Sequence, residues 1–206
     1  MSFYENRILP HVIYLCCGRA DVTEIRKSVV PDAYGRVLEI GMGAGANLPL
    51  YDPQKVEVVL GLEPSEGMRR KAAPAIQASP VKVELIAAGA EDIPLPGASV
   101  DTVVLTYTLC SIPDAGRALA EMRRVLKPGG LMLFAEHGRD PDPGIYKWQR
   151  RLEPVWKPVF GGCHLTRDAP ALLEAAGFRI QSRDSLHLEG MPKFGAFQTL
   201  GSARLV

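Results

Sequence analysis

Five short apolar runs, separated by helical patterns and turns, set what this chain can fold into. They are "RVLEIG" (36–41), "VEVVLGLE" (56–63), "VKVELIAA" (81–88), "SVDTVVLTYTL" (99–109) and "GLMLFAEH" (130–137). Valine, leucine and isoleucine fall on both alternating faces of most of them, which suits strands buried on both sides. Between them, "SEGMRRKAAPAIQ" (65–77) and "AGRALAEMRRVLK" (115–127) place apolar residues at helical spacing. Ser65 suits an N-cap, Pro74 disturbs the interior of the first helix, and Pro128-Gly129-Gly130 suits a stop after the second. Strand and helix in alternation predict an α/β domain: a mostly parallel sheet with helices on both faces.

After His137 the rhythm changes. Residues 139–166 hold several prolines together with Trp148 and Trp156, and predict an irregular aromatic segment that closes over a pocket as a lid or packs onto the core. "APALLEAAGF" reads as a helix ended by Gly177. "RIQSRDSLHL" and "KFGAFQTLGSARLV" read as two closing strands joined through Gly190 and Pro192.

A length of 206 residues fits one domain, residues 1–206, with 1–34 as an N-terminal helical cap. Within that cap "ILPHVIYLCC" is apolar, yet too short to span a bilayer, and "FYENR" before it carries an acid and a base. It predicts an amphipathic cover over the core or a weak membrane contact. The net charge of +1 implies no general attraction to nucleic acid, and "MRRK" and "WQRR" read as solvated faces. Cys16, Cys17, Cys110 and Cys163 show no CxxC spacing, which predicts reduced thiols, no metal site and a cytoplasmic location.

The first apolar run ends in "GMGAGAN": Gly41, Gly43 and Gly45 in alternate positions. Glycines after a strand allow close approach of backbone to helix, strand or ligand. Glu63 closes the second run, 18 residues beyond Gly45. A carboxylate there is placed to accept from both ribose hydroxyls of a nucleoside cofactor. A dinucleotide would put its pyrophosphate on the turn, where Glu39, two residues before Gly41, opposes it. S-adenosylmethionine carries an ammonium and a sulfonium and no phosphate, so Glu39 favours the methyl donor over a dehydrogenase's NAD.

"VLEIGMGAGAN", "GLEPSEGM", "AGAEDIPLPGASVDTVVL" and "EMRRVLKPGGLMLFAEH", in this order, resemble the class I S-adenosylmethionine-dependent methyltransferases from about residue 35 onward. The resemblance implies a Rossmann-like seven-stranded sheet whose last strand runs antiparallel. It also implies a donor site. Glu39, Gly41, Gly43, Gly45 and Asn47 would hold the methionine portion, and Glu63 the ribose. Pro64 and Met68 would lie at the adenine or ribose edge, Ala90 and Glu91 at the adenine ring, and Thr106 and Tyr107 at the methyl end. Many relatives carry an aspartate where Gly89 stands, so here the adenine contact falls to a backbone group or to Glu91.

"LTYTLCSIPD", "EHG" and "WQRRLEPVWKPVFGGCHLTRD" resemble, more narrowly, the branch that includes the membrane-associated alkyl-thiol methyltransferases of animals. The chain departs from those proteins in its N-terminal stretch, which holds no long hydrophobic anchor. Kinship implies a small-molecule acceptor such as an alkyl thiol. A phospholipid or another nitrogen or oxygen acceptor is the alternative, and a donor-binding partner protein without catalysis is the reading from another class.

A thiol with pKa about 8.5 needs little help to become a thiolate. His137, ending the fifth strand at the edge where open α/β sheets bind ligands, is the candidate catalytic base. Cys110 follows the fourth strand at the same edge and reads as a small buried filler. Cys163 and His164 are candidates to line an acceptor pocket, with Tyr146, Trp148, Trp156 and Phe160 as its aromatic wall or as core packing.

Overall fold

The computed structural model describes residues 19–205; "ILPHVIYLCC" and most of the expected cap lie outside the described residues. The elements are α1 (Ala20–Lys27), β1 (Gly35–Ile40), β2 (Val56–Leu62), α2 (Glu66–Gln77), β3 (Val83–Ile86), β4 (Val100–Thr106), α3 (Ala115–Val125), β5 (Leu126–His137), α4 (Pro143–Val159), α5 (Ala169–Ala175), β6 (Phe178–His187), α6 (Lys193–Ala196) and β7 (Phe197–Leu205). They form a seven-stranded sheet in the order β3-β2-β1-β4-β5-β7-β6. The first five strands pair in parallel, and β7 runs antiparallel to both β5 and β6. The expected Rossmann-like sheet with its antiparallel last strand is therefore the observed one.

Period-two alternation splits the core between the two faces. Leu38, Leu60, Val103 and Leu105 bury against Leu119 and Met122 of α3 and Leu173 of α5. Val37, Val59 and Val104 turn the other way, toward Val22 and Ile25 of α1 and Ala72 of α2. Both faces of the central strands are thus dry, which is why they read as continuous apolar runs.

Ser65 caps α2, its side chain accepting from Met68 N–H, and the helix continues through Pro74 to Gln77. Pro128-Gly129-Gly130 does not separate helix from strand: β5 starts at Leu126, directly after α3. The larger correction concerns residues 139–166, expected to be irregular. Most of that stretch is α4, a helix of 17 residues. Pro143 stands in its first turn, where a missing N–H costs nothing, and Asp142 caps it, accepting from Gly144 N–H and Ile145 N–H. Pro154 and Pro158 sit inside the helix. That cap and the apolar spacing of Leu152, Trp156 and Val159 outweigh the prolines as helix breakers. Buried Gln149 fastens α4 to the sheet: it accepts from Asp140 N–H and donates to the carbonyls of Gly138 and Phe194. Among the described residues, no helix is long and apolar enough to cross a membrane.

Candidate functional site

The turn after β1 is built so that backbone, not side chain, faces the sheet's carboxyl edge. Gly41 has φ +62°, and a Cβ there would come within 2.4 Å of Thr108 Cγ2. Only glycine lets the turn and the loop after β4 pack this closely. Gly43 N–H donates to Glu63 Oε2 (2.9 Å), and Ser65 N–H donates to Glu63 Oε1 (2.8 Å). Two backbone donors therefore fix the carboxylate at the end of β2. Burial pushes its pKa up, and these hydrogen bonds pull it back.

These groups open onto a cleft of about 300 Å³. Gly41, Gly43, Glu63, Pro64, Met68, Ala90, Glu91 and Tyr107, all expected at a donor site, line it. Gly89 lines it too, beside Glu91. Residues the sequence did not single out join them: Thr108, Ser111 and Gly161, the last from the segment after α4. Two carboxylates face this cleft, and none of its lining side chains is basic. Its apolar lining includes Ile40, Leu62 and Ile112. The cleft fits a nucleoside with cationic substituents, and it offers a pyrophosphate no positively charged side chain.

Glu39, Gly45, Asn47 and Thr106 do not line the cleft: Gly45 is within the turn, and the side chains of the other three meet beneath it. Asn47 Nδ2 donates to Glu39 Oε1 (3.0 Å) and Thr106 Oγ1 (3.0 Å), and Tyr51 O–H donates to Glu39 Oε2 (2.8 Å). Arg26 of α1 donates to Asn47 Oδ1 (2.8 Å) and Thr106 Oγ1 (2.9 Å). All five side chains are buried. Burial pushes the Glu39 carboxyl up to about 7, against the pull of Tyr51, Arg26 and Asn47. The network ties α1, the turn and the end of β4 together, and it explains in part why an acid precedes the glycines.

A second cavity of about 170 Å³ adjoins the first, the two sharing Tyr107 and Ser111 in their walls. Tyr107 holds φ +55°, a backbone region costly for a side chain of its size. The second cavity is mainly apolar, walled by Val22, Trp156, Phe160, Leu165, Leu188 and Met191. The rings of Trp156 and Phe160 stack at 3.8 Å, one helical turn apart. Its polar end is a cluster of Cys110, His137 and Cys163. His137 Nε2 lies 3.1 Å from Cys163 Sγ, and Trp156 Nε1–H donates to that sulfur (3.4 Å). As close neighbours, the two thiols are pushed apart: Cys163 holds Cys110 well below the usual thiol range, and Cys110 holds Cys163 above it. Burial lowers the pKa of His137, but the charge and hydrogen bond of Cys110 and the charge of Glu136 together raise it above the usual imidazole value.

Cys110 is thus more than the filler its setting in the sequence implied. No spacing in the sequence joins positions 110, 137 and 163; the convergence is tertiary. His164 turns away from the pocket, Nδ1 3.1 Å from Glu153 Oε1, so of the two neighbours only Cys163 lines it. Trp148 is 58% exposed and Tyr146 packs under the Arg139 guanidinium, so neither belongs to the aromatic wall.

Residues 38–134 match the family profile described as "Methyltransferase domain". A thiol S-methyltransferase of Rattus norvegicus, TMT1B, is 38% identical over 144 residues, 69% of this chain and 59% of that protein. A phosphatidylethanolamine N-methyltransferase of Cereibacter sphaeroides is 35% identical over 142 residues, 65% of this chain and 68% of that protein. The chain spans about three-fifths of the length of the thiol methyltransferases it matches. In fold, the crystal structure of a Bacillus halodurans protein superposes with a TM-score of 0.73 at 16% identity, over 90% of this chain and 99% of that one.

Proposed function

The chain belongs to the class I S-adenosylmethionine-dependent methyltransferases, and from that premise we propose that it methylates a small, apolar thiol. The observation that carries this reading is the pair of adjoining cavities. One is acidic and glycine-walled; the other is apolar and ends in two sulfurs and an imidazole. The relatives named as thiol S-methyltransferases support it.

When bound, S-adenosylmethionine supplies a methyl group on a sulfonium, a good leaving group. The rest of the chemistry is placement. Gly41 and Gly43 admit the donor's amino-acid portion, Glu63 accepts from the ribose hydroxyls, and Pro64, Met68, Ala90 and Glu91 hold the base. Glu39, Gly45, Asn47 and Thr106 act one layer below, by fixing the turn. Tyr107, at the junction of the cavities, sets the donor's methyl end against the acceptor. Orienting two reactants in this way accounts for several kcal/mol, on the order of 7–11 at best. The wall of Trp156 and Phe160 keeps water from the acceptor's sulfur. His137 governs the loss of the acceptor's sulfhydryl proton, and the sulfur then displaces the donor's thioether. The free thiols Cys110 and Cys163 agree with a reducing, cytoplasmic location, which fractionation of tagged protein tests.

A panel of thiols, amines, phenols and phosphatidylethanolamine, assayed with methyl-labelled donor, tests the acceptor. Label in the thioether products alone is the expected result. Label only in nitrogen or oxygen products overturns the thiol reading, and label in phosphatidylethanolamine would place the chain beside its Cereibacter sphaeroides relative. Cofactor binding without turnover on any acceptor would make it a partner protein instead.

A further inference from the structure

We propose that Cys110, His137 and Cys163 form a three-ligand site for zinc, whose fourth position, open among the described residues, faces the apolar cavity and takes the acceptor's sulfur. The inference rests on the thiol reading above and says how His137 acts in it: as a metal ligand.

The argument begins with convergence. Cys110 follows β4, His137 ends β5, and Cys163 follows α4, yet their ligand atoms all lie within 4.8 Å of one another. A tetrahedral zinc with Zn–S about 2.3 Å and Zn–N about 2.0–2.1 Å places its ligand atoms roughly 3.5–4 Å apart. Small side-chain rotations therefore suffice to close the site. Two thiolates and an imidazole are a donor set that tetrahedral zinc takes, and three protein ligands with one vacancy mark a catalytic rather than a structural site.

The surroundings match that chemistry. Trp156 Nε1–H donates to Cys163 Sγ, and the Ser111 hydroxyl lies 3.4 Å from Cys110 Sγ, giving each sulfur a polar neighbour of the kind that orients metal thiolates. Both cysteines are buried, so the site is shielded from bulk solvent and competing ligands. All three residues border the apolar cavity, and Ser111 borders the donor cleft as well. A sulfur held on the fourth position would stand at the boundary of the two cavities.

The balance is simple. Zinc binding releases the protons of Cys110 and Cys163 to solvent. The acceptor R–SH then loses its proton to solvent as its sulfur joins the ion. A sulfur lone pair forms the new S–CH3 bond while the donor's C–S bond breaks toward its own sulfur. The product is a neutral thioether, a weaker ligand than a thiolate, and it leaves the fourth position. Zinc keeps its oxidation state throughout.

Reduced, chelator-stripped protein titrated with Co2+ and with Zn2+ provides the test, with binding of S-adenosylhomocysteine as the control for an intact fold. One Co2+ per chain is expected, with sulfur-to-cobalt charge transfer, tetrahedral visible bands and displacement by Zn2+. Cys110→Ser and Cys163→Ser should weaken metal binding beyond the roughly 10–100-fold that losing an outer-shell partner costs. Cys16→Ser/Cys17→Ser should leave it unchanged. Adding a small alkyl thiol should shift the visible bands. Absent metal binding in protein that still binds S-adenosylhomocysteine overturns the site and leaves the methyltransferase reading standing. Metal binding that survives loss of Cys110 and Cys163, or visible bands indifferent to thiol, overturns it too. If the metal binds as described and no thiol in the labelled panel is methylated, the thiol reading fails while the metal site stands.

Discussion

Glu63 shows how much one side chain settles in this protein. Backbone N–H groups from the turn and from the start of α2 hold its two oxygens, so its carboxylate is fixed before any ligand arrives. Glu63→Ala should weaken S-adenosylhomocysteine binding by about 1–3 kcal/mol, the cost of losing a charged acceptor. Titration calorimetry reads this directly, and unchanged affinity would mean the ribose partner is another group. Ala98 offers a test free of function. It is exposed and left-handed, with φ +50°, a conformation glycine adopts without strain. Ala98→Gly should stabilise the fold by about 1 kcal/mol, the left-handed penalty less glycine's entropy cost. Urea unfolding measures it, and destabilisation would show that the turn tolerates alanine. His137→Ala should lower turnover most at low pH. The deficit should shrink as pH rises toward the acceptor thiol's own pKa, where the thiol ionises unaided. A loss of equal size at every pH would make His137 structural.

At the scale of elements, α4 is where local and tertiary signals parted. Its start was legible once Asp142 and Pro143 are read as cap and first turn rather than as breakers. Its role was not, because the same helix exposes Trp148 and Val155 and turns Trp156 and Phe160 inward. Trp156→Ala removes one wall of the acceptor cavity and the N–H donor to Cys163. KM for apolar thiols should rise about 5- to 150-fold, about 1–3 kcal/mol of lost burial and contact, while donor affinity stays within error. An equal loss of donor binding would show that α4 holds the whole site rather than its acceptor half. The strands tell the opposite story. β1, β2, β4 and β5 carried their own identity in sequence, since each is buried on both faces and has no polar alternation to confuse the reading.

For the molecule as a whole, the buried network under the turn couples stability to pH. The Glu39 carboxyl, ordinarily at 4.5, is pushed up to about 7 by burial. A group raised in the folded state binds its proton more tightly there than in the unfolded chain. Its contribution is full below pH 4.5 and is lost as pH rises through about 7. Unfolding free energy of the ligand-free protein should therefore fall across that window, by on the order of 2–3 kcal/mol from this group. Glu39→Gln should flatten the slope in denaturant titrations at several pH values; an equally steep slope in the variant would assign it elsewhere.

The sequence by itself determined the parallel strands and, at the cleft, Gly41, Gly43 and Glu63, from local chemistry: apolar periodicity, glycines at a strand end, a carboxylate at the next. The antiparallel last strand and five more of the residues that line the cleft, Pro64, Met68, Ala90, Glu91 and Tyr107, followed from the resemblance to the class I methyltransferases. Only the tertiary structure decided that Glu39, Asn47 and Thr106 brace the turn from below, and that Cys110, His137 and Cys163 meet. The reason is the order in which a parallel sheet is assembled. Strands neighbouring in space are separated in the chain by whole helices, so side chains at one carboxyl edge share no spacing that a sequence can display.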